Sequence, residues 1–276
     1  MTGVIGTSTQ LGLRIADATR DAQVTAIRDS AEHSRAIETF RDRISEVRTV
    51  DDLLADRRLY VFVMKAFDLE DQIFGKAMIR KILESDPSKP DALVRRLTDP
   101  RFMELHKGLG FGPGGAGNTS VMERAWQDGI VARYVERQFI DGQAAKSETV
   151  GNVLEFRQKA ESVKTWFDIL KDPMMGKFMR TALGMPEAIV GLDVDRQAAL
   201  FAKKYDIEKL QDPEERGRLE RLYAIITDAR DTSRIGQNAA VQILAGGFGP
   251  ARDGGRFVPI TLDIEMIGSF PRRPYR

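Results

Sequence analysis

The sequence predicts an all-α protein: a long N-terminal helix, two related helical units and an irregular C-terminal tail. Three observations carry that expectation. Glycine and proline are absent from Ile15 to Val50, so nothing interrupts a helix there. Leu59, Phe62, Val63, Ala66 and Phe67 recur at the three-and-four spacing of a helix face, with Tyr60, Val61 and Met64 loading the opposite side. Asp-Pro recurs at 86–87, 99–100, 172–173 and 212–213. Asp can cap first-turn N–H groups, and Pro at the first helical position lacks a donor that would be unpaired anyway, so each pair marks a helix start or a tight turn.

Composition bounds the function. The chain has 276 residues, of which 42% are hydrophobic and 30% charged, enough for one large domain or two modest ones. Forty-two basic residues face forty-one acidic ones, a formal charge of +1, so no overall excess points to nucleic acid or an anionic membrane. Cysteine is absent, which removes disulfides, thiolate nucleophiles and cysteine-bound metals. The N-terminus lacks a basic segment followed by an apolar run, so no Sec signal is expected, and no stretch approaches the roughly 18 apolar residues of a membrane span.

In chain order, the first helix covers 12–48. Ile37, Phe40, Ile44 and Val47 alternate at three and four residues, with Ala26, Ser30 and His33 upstream. That seam suits either a coiled-coil partner or docking on the body of the same chain. A second helix follows over 56–67 and a third through Ile73, Ala77, Ile79 and Leu83, stopped by Asp86-Pro87. GFGPGGAGNT at 110–119 contains five glycines and a proline and breaks regular structure. Helix resumes at Ser120 or Val121 and runs to about Lys146, long enough to bridge two subdomains. Further helices are expected over 148–160, 163–171, 173–184, 193–205 and 213–231. Past Gly236 weak alternation around Pro259 suits an extended tail. The resulting partition is an arm at 1–48, a first unit at 49–112, a glycine-rich linker at 113–119, a long helix with the second unit at 120–231, and the tail at 232–276.

One phrase is written twice. At an offset of 116 residues Leu54 meets Leu170, Asp56 meets Asp172, Leu59 meets Met175, Phe62 meets Phe178, Ala66 meets Ala182, Phe67 meets Leu183 and Leu69 meets Met185. The match predicts a duplicated helical unit packed pseudo-symmetrically. The stretches 48–86, 93–112 and 166–205, with their Asp-Arg-Arg-Leu start, Ala-Phe-x-Leu close and Leu-x-Asp-x-Arg-Phe phrase, resemble the alphaproteobacterial domain-of-unknown-function family 1217. The resemblance implies a helical protein, often encoded among flagellar genes, and transfers no catalytic residue. It departs from the family at Asp68, where Gly is common. It also lacks the paired terminal heptads of flagellar axial proteins, which favours an accessory or assembly role over a rod, hook or filament subunit.

No motif assembles a reaction centre. His33 and His106 lack a second histidine at i+3 or i+4, so neither predicts a metal pair. LDVDRQ at 192–197 has two carboxylates but Gln197 where a calcium loop continues, and Lys204 where it closes, so capping and solvation are expected. GFGPGG and GGFGPARDGG follow no strand and lack Gly-Lys-Ser/Thr, and no Gly-x-Ser-x-Gly elbow is present.

The expected function is a non-enzymatic flagellum-associated accessory or assembly protein acting through contacts with other flagellar or cytoplasmic proteins, without cofactor or nucleic acid. It would be cytoplasmic or exported by the flagellar apparatus. Candidate partner-binding residues are Ile37, Phe40 and Ile44 on the seam and Arg272, Arg273 and Arg276 in the basic terminus; Trp126, Trp166, Phe248 and Phe270 are possible anchors. The alternative is a cytoplasmic enzyme or ligand-binding protein with a cleft between the two units, where Asp56, Arg57, Arg58, Asp172 or Arg180 would converge.

Overall fold

The computed structural model describes residues 8–118 and 120–230, and every described element is helical. The helices are Thr9–Asp29 (α1), Ala31–Ile44 (α2), Val50–Ala55 (α3), Arg57–Ala66 (α4), Lys76–Leu83 (α5), Leu93–Arg96 (α6), Pro100–Leu109 (α7), Arg124–Ala144 (α8), Glu148–Ala160 (α9), Trp166–Lys171 (α10), Pro173–Ala182 (α11), Val194–Lys204 (α12) and Pro213–Arg230 (α13). Short 3-10 turns intervene, among them Ser120–Met122 and Glu187–Gly191. The described residues up to Asp228 form one compact unit. The expected tail, with Phe248, Phe270, Arg272, Arg273 and Arg276, lies outside the described residues.

The Asp-Pro signals do as their chemistry dictates. Asp99 caps α7 and Asp172 caps α11, each followed by Pro at the first position, and α13 begins at Pro213. The long N-terminal helix is corrected: it is divided at Ser30, whose backbone is extended (φ −64°, ψ 146°). The Ser30 hydroxyl donates to the Ile27 carbonyl and accepts from the His33 N–H, satisfying the end of one helix and the start of the next. A serine side chain that competes for backbone partners explains a break that glycine and proline counts do not show.

Two cores form, and α8 belongs to both. Ile130, Val131, Tyr134 and Val135 of α8 enter the first with α2 to α7. Phe139 and Ile140, further along the same helix, enter the second with α9 to α13. At 21 residues α8 is about 30 Å long, which suffices for both roles. The N-terminal segment is no free arm: Leu13 and Ala16 of α1 are buried in the second core, and Ile37, Phe40 and Ile44 of α2 are buried in the first. Nor is the glycine-rich stretch a loose linker. The Gly115 carbonyl accepts from the Val50 N–H at 2.8 Å, and a Cβ at Gly115 would lie 2.9 Å from Val50 Cγ2. Gly115 also has φ +78°, so only glycine suits this approach.

The duplication is visible in three dimensions. Thr49 with Asp52 and Thr165 with Asp168 form capping boxes 116 residues apart, and α4 and α11 share identical bounds at that offset. Phe40 stacks on Phe62 with centroids 4.6 Å apart, and Phe156 on Phe178 at 4.0 Å. Each stack continues onto a tyrosine of a longer helix, Tyr134 in α8 and Tyr223 in α13. After the paired helices, Asp68 (φ 57°) and Gly184 (φ 64°) both turn left-handed. The N–H groups of Leu69 and Met185 then bond back to Met64 and Arg180.

Candidate functional site

The strongest candidate site is a solvent-open cleft of about 760 Å³ between α2 and α4. Its floor is apolar, made by Ala36, Val61, Phe62 and the ring of Tyr134. Its rim is basic: Arg35 from α2, and Arg57, Arg58 and Lys65 from α4, against one carboxylate, Glu32. Lys65 pairs with Glu70 at 3.2 Å. Arg35, Arg57 and Arg58 are exposed and their side chains make no ion pair among the described residues. The helix pair positions them because Phe62 and Phe40, interior neighbours of the rim residues, lock α4 onto α2 through their stacked rings. Three guanidiniums with free donors over an apolar floor can receive a carboxylate-bearing apolar group, since each guanidinium can bind a carboxylate in a bidentate fork.

At the cleft floor, the Tyr134 hydroxyl and His33 Nδ1 are hydrogen-bonded at 2.8 Å. Burial, and to a lesser degree Glu32 and Glu70, pushes the Tyr134 phenol up to about 12, so it is a neutral hydroxyl at physiological pH. A second cleft of about 630 Å³ lies between α3 and α5, and two of its three cations are engaged. Arg80 pairs with Asp51 at 2.5 Å, and Lys76 donates to the Leu54 carbonyl at 2.7 Å.

Charges also gather where the two halves meet, in a network that is already satisfied. Arg137 of α8 reaches Asp141 at 2.5 Å, Glu155 at 3.0 Å and Asp68 at 3.5 Å. Lys159 bonds Glu155 and Asp172, both at 2.7 Å. Burial pushes the Asp68 carboxyl up, against the pull of Arg137 and Arg101. At Glu155 burial has the same tendency, but Lys159 and Arg137 overcome it and hold the carboxyl below its usual range. Arg101 adds Asp99 at 2.8 Å and donates to the Asp68 carbonyl.

The candidates named from sequence fall in different places. Ile37, Phe40 and Ile44 are a correction: at 5%, 0% and 1% exposure they are core residues, because the seam closes on the chain's own α4 and α8 rather than on a partner. Trp166 is buried on Phe201, and the Trp126 indole donates to the Gly108 carbonyl at 2.9 Å. His106 Nε2 lies 2.9 Å from the Ser85 carbonyl, and no group of three or more potential metal ligands exists among the described residues. Asp193 caps α12.

The expected meeting of Asp56, Arg57, Arg58, Asp172 and Arg180 does not occur. Only Arg57 and Arg58 share the cleft, which lies within the first half and not between the halves. Asp56 caps α4 and pairs with Arg43 at 2.7 Å; Asp172 caps α11, and Arg180 lies 3.5 Å from Glu187. Sequence reasoning missed Arg35 and Lys65, since only helix packing brings α2 beside α4. A basic residue on each helix next to the apolar stripe was the available signal.

The comparisons agree with this architecture. A crystal structure of a protein from Agrobacterium tumefaciens is similar at a TM-score of 0.72 and 30% identity, over 81% of this chain and 94% of that one. No curated protein matches the chain. No helix among the described residues is long and apolar enough to cross a membrane. The sequence profile of the family described as "Protein of unknown function (DUF1217)" matches residues 66–215, more than half of the chain. The chain therefore belongs to the DUF1217 family of proteins of unknown function.

Proposed function

We propose that this chain is a non-enzymatic, flagellum-associated accessory or assembly protein that works through protein–protein contacts, with the α2–α4 cleft as its docking surface. The observation that carries the reading is the trio Arg35, Arg57 and Arg58, which make no ion pair among the described residues and stand above Ala36, Val61 and Phe62. An apolar centre with a polar rim and unengaged arginines is the anatomy of a protein interface. The flagellar assignment rests on what the resemblance implies, a place among flagellar genes. Residence is cytoplasmic or exported through the flagellar apparatus.

The test is swimming of a strain lacking the gene, complemented with the wild-type chain or with Arg35→Glu/Arg57→Glu/Arg58→Glu. Wild type should restore swimming, and the triple variant should fail at equal abundance. Normal swimming of the deletion strain would overturn the proposal. Blotting cell pellet and supernatant with and without the flagellar export gate separates the two residences.

The cleft volume favours a second reading, a small anionic ligand, because binding sites of roughly 300–1,000 Å³ are typical. A carboxylate or phosphate compound that raises the Tm of wild type but not of the triple variant would support it.

A further inference from the structure

The second half carries a surface complementary to the cleft. From Val190 to Arg196 every residue is exposed. Val190 (51%), Leu192 (37%) and Val194 (52%) present apolar side chains to solvent, flanked by the carboxylates of Glu187, Asp193 and Asp195. This ridge is fixed. Ile189 is buried beneath it, and the Leu192 N–H donates to the Ile189 carbonyl at 3.0 Å. The Gln197 side chain donates to the Leu192 carbonyl at 2.8 Å, and Asp193 caps α12. Glu187 faces Arg180 and Asp193 pairs with Arg196 at 3.1 Å, but Asp195 makes no ion pair among the described residues.

An ordered apolar ridge thus exists on the same chain as an apolar cleft, with one carboxylate on the ridge and three guanidiniums at the cleft that make no ion pair among the described residues. We propose that the chain self-associates head to tail, the Val190–Asp195 ridge of one copy entering the α2–α4 cleft of the next. The inference rests on the docking reading of the cleft and names its occupant. The two surfaces belong to different halves, so the contact is heterologous: it joins unlike patches and builds either a closed ring or an open chain, unlike a two-fold dimer. Because the ridge is already ordered, little conformational entropy is lost on docking. Charge complementarity sets the register and makes the contact salt-sensitive.

The experiment is sedimentation of the full chain over a concentration series at low and high ionic strength, with two variants altered only at exposed positions. One is Arg35→Glu/Arg57→Glu/Arg58→Glu in the cleft; the other is Val190→Ser/Leu192→Ser/Asp195→Asn on the ridge. Circular dichroism checks that both remain helical. Wild type should assemble beyond the monomer, with an association constant about tenfold weaker at high salt. Each variant alone should be monomeric, and their equimolar mixture should give a dimer and nothing larger, since one intact cleft and one intact ridge remain to meet. A monomeric wild type, undiminished assembly by either variant, or a mixture that stays monomeric would overturn the proposal. If self-association fails while swimming still requires the cleft arginines, the docking cleft stands with another acidic partner. If both fail, the cleft reading falls with it.

Discussion

Lys159 Nζ lies 2.7 Å from Asp172 Oδ2, while Oδ1 of the same carboxylate accepts from the N–H groups of Met174 and Met175. The counterpart in the first half is Arg43 with Asp56, also at 2.7 Å and also at a cap. The duplicated unit thus preserves an ion pair onto a helix start while exchanging one cation for another. In the second half this pair extends through Glu155 to Arg137, and so joins α9 and α11 to the helix shared by both cores.

That network makes stability pH-dependent. The Glu155 carboxyl is held below its usual range, so ionised Glu155 stabilises the fold above the unfolded value, and that stabilisation is lost as pH falls through the folded one. Lys159 is raised although burial opposes it, because Glu155 and Asp172 flank it; its contribution is present below the unfolded value and lost as pH rises through the folded one. Glu155→Gln should therefore destabilise at neutral pH by about 2 kcal/mol, leaving Arg137 and Lys159 short of a partner. The gap to wild type should narrow as pH falls through the folded carboxyl's range, which lies below the ordinary glutamate range. Urea denaturation of both proteins across pH checks this; a gap that persists in acid would contradict it.

The two left-handed turns give a matched pair of substitutions. Gly184 has φ 64° and open space around the Cβ position, so Gly184→Ala meets only a backbone penalty, about 1 kcal/mol. Asp68 already bears that penalty at φ 57°, and its carboxyl is pushed up by burial. Asp68→Gly should cost less than Gly184→Ala, or stabilise, despite losing the contact to Arg137 at 3.5 Å. Thermal unfolding of both variants decides it.

Phe40 and Phe156 are equivalent, fully buried and each stacked on a phenylalanine. Phe40→Ala and Phe156→Ala should each cost about 3–5 kcal/mol. A loss below about 1 kcal/mol for Phe40→Ala would restore the seam as a partner surface.

The caps differ in burial, with side-chain exposure of 24% at Asp56 and 10% at Asp172. Asp56→Ala should cost about 1 kcal/mol. Asp172→Ala should cost more, because Lys159 loses one of its two carboxylates in a less exposed place. Equal losses in chemical denaturation would count against the burial argument.

The sequence by itself determined the helices, their caps and the duplication. Those follow from local chemistry: the period of the apolar residues, Asp at helix starts, Pro at first positions, and the fixed offset between Phe62 and Phe178. It did not determine the break at Ser30, where competing local hydrogen bonds outweigh helix continuation without glycine or proline. Nor did it decide which partner would cover Ile37, Phe40 and Ile44, because an apolar seam reads the same whether it meets another chain or its own α4. The cleft was legible only in its fragments, Arg57 and Arg58; Arg35 joins them because stacking of Phe40 on Phe62 brings α2 beside α4. Contacts between residues distant in sequence are set by packing, and packing is what the tertiary structure alone decided.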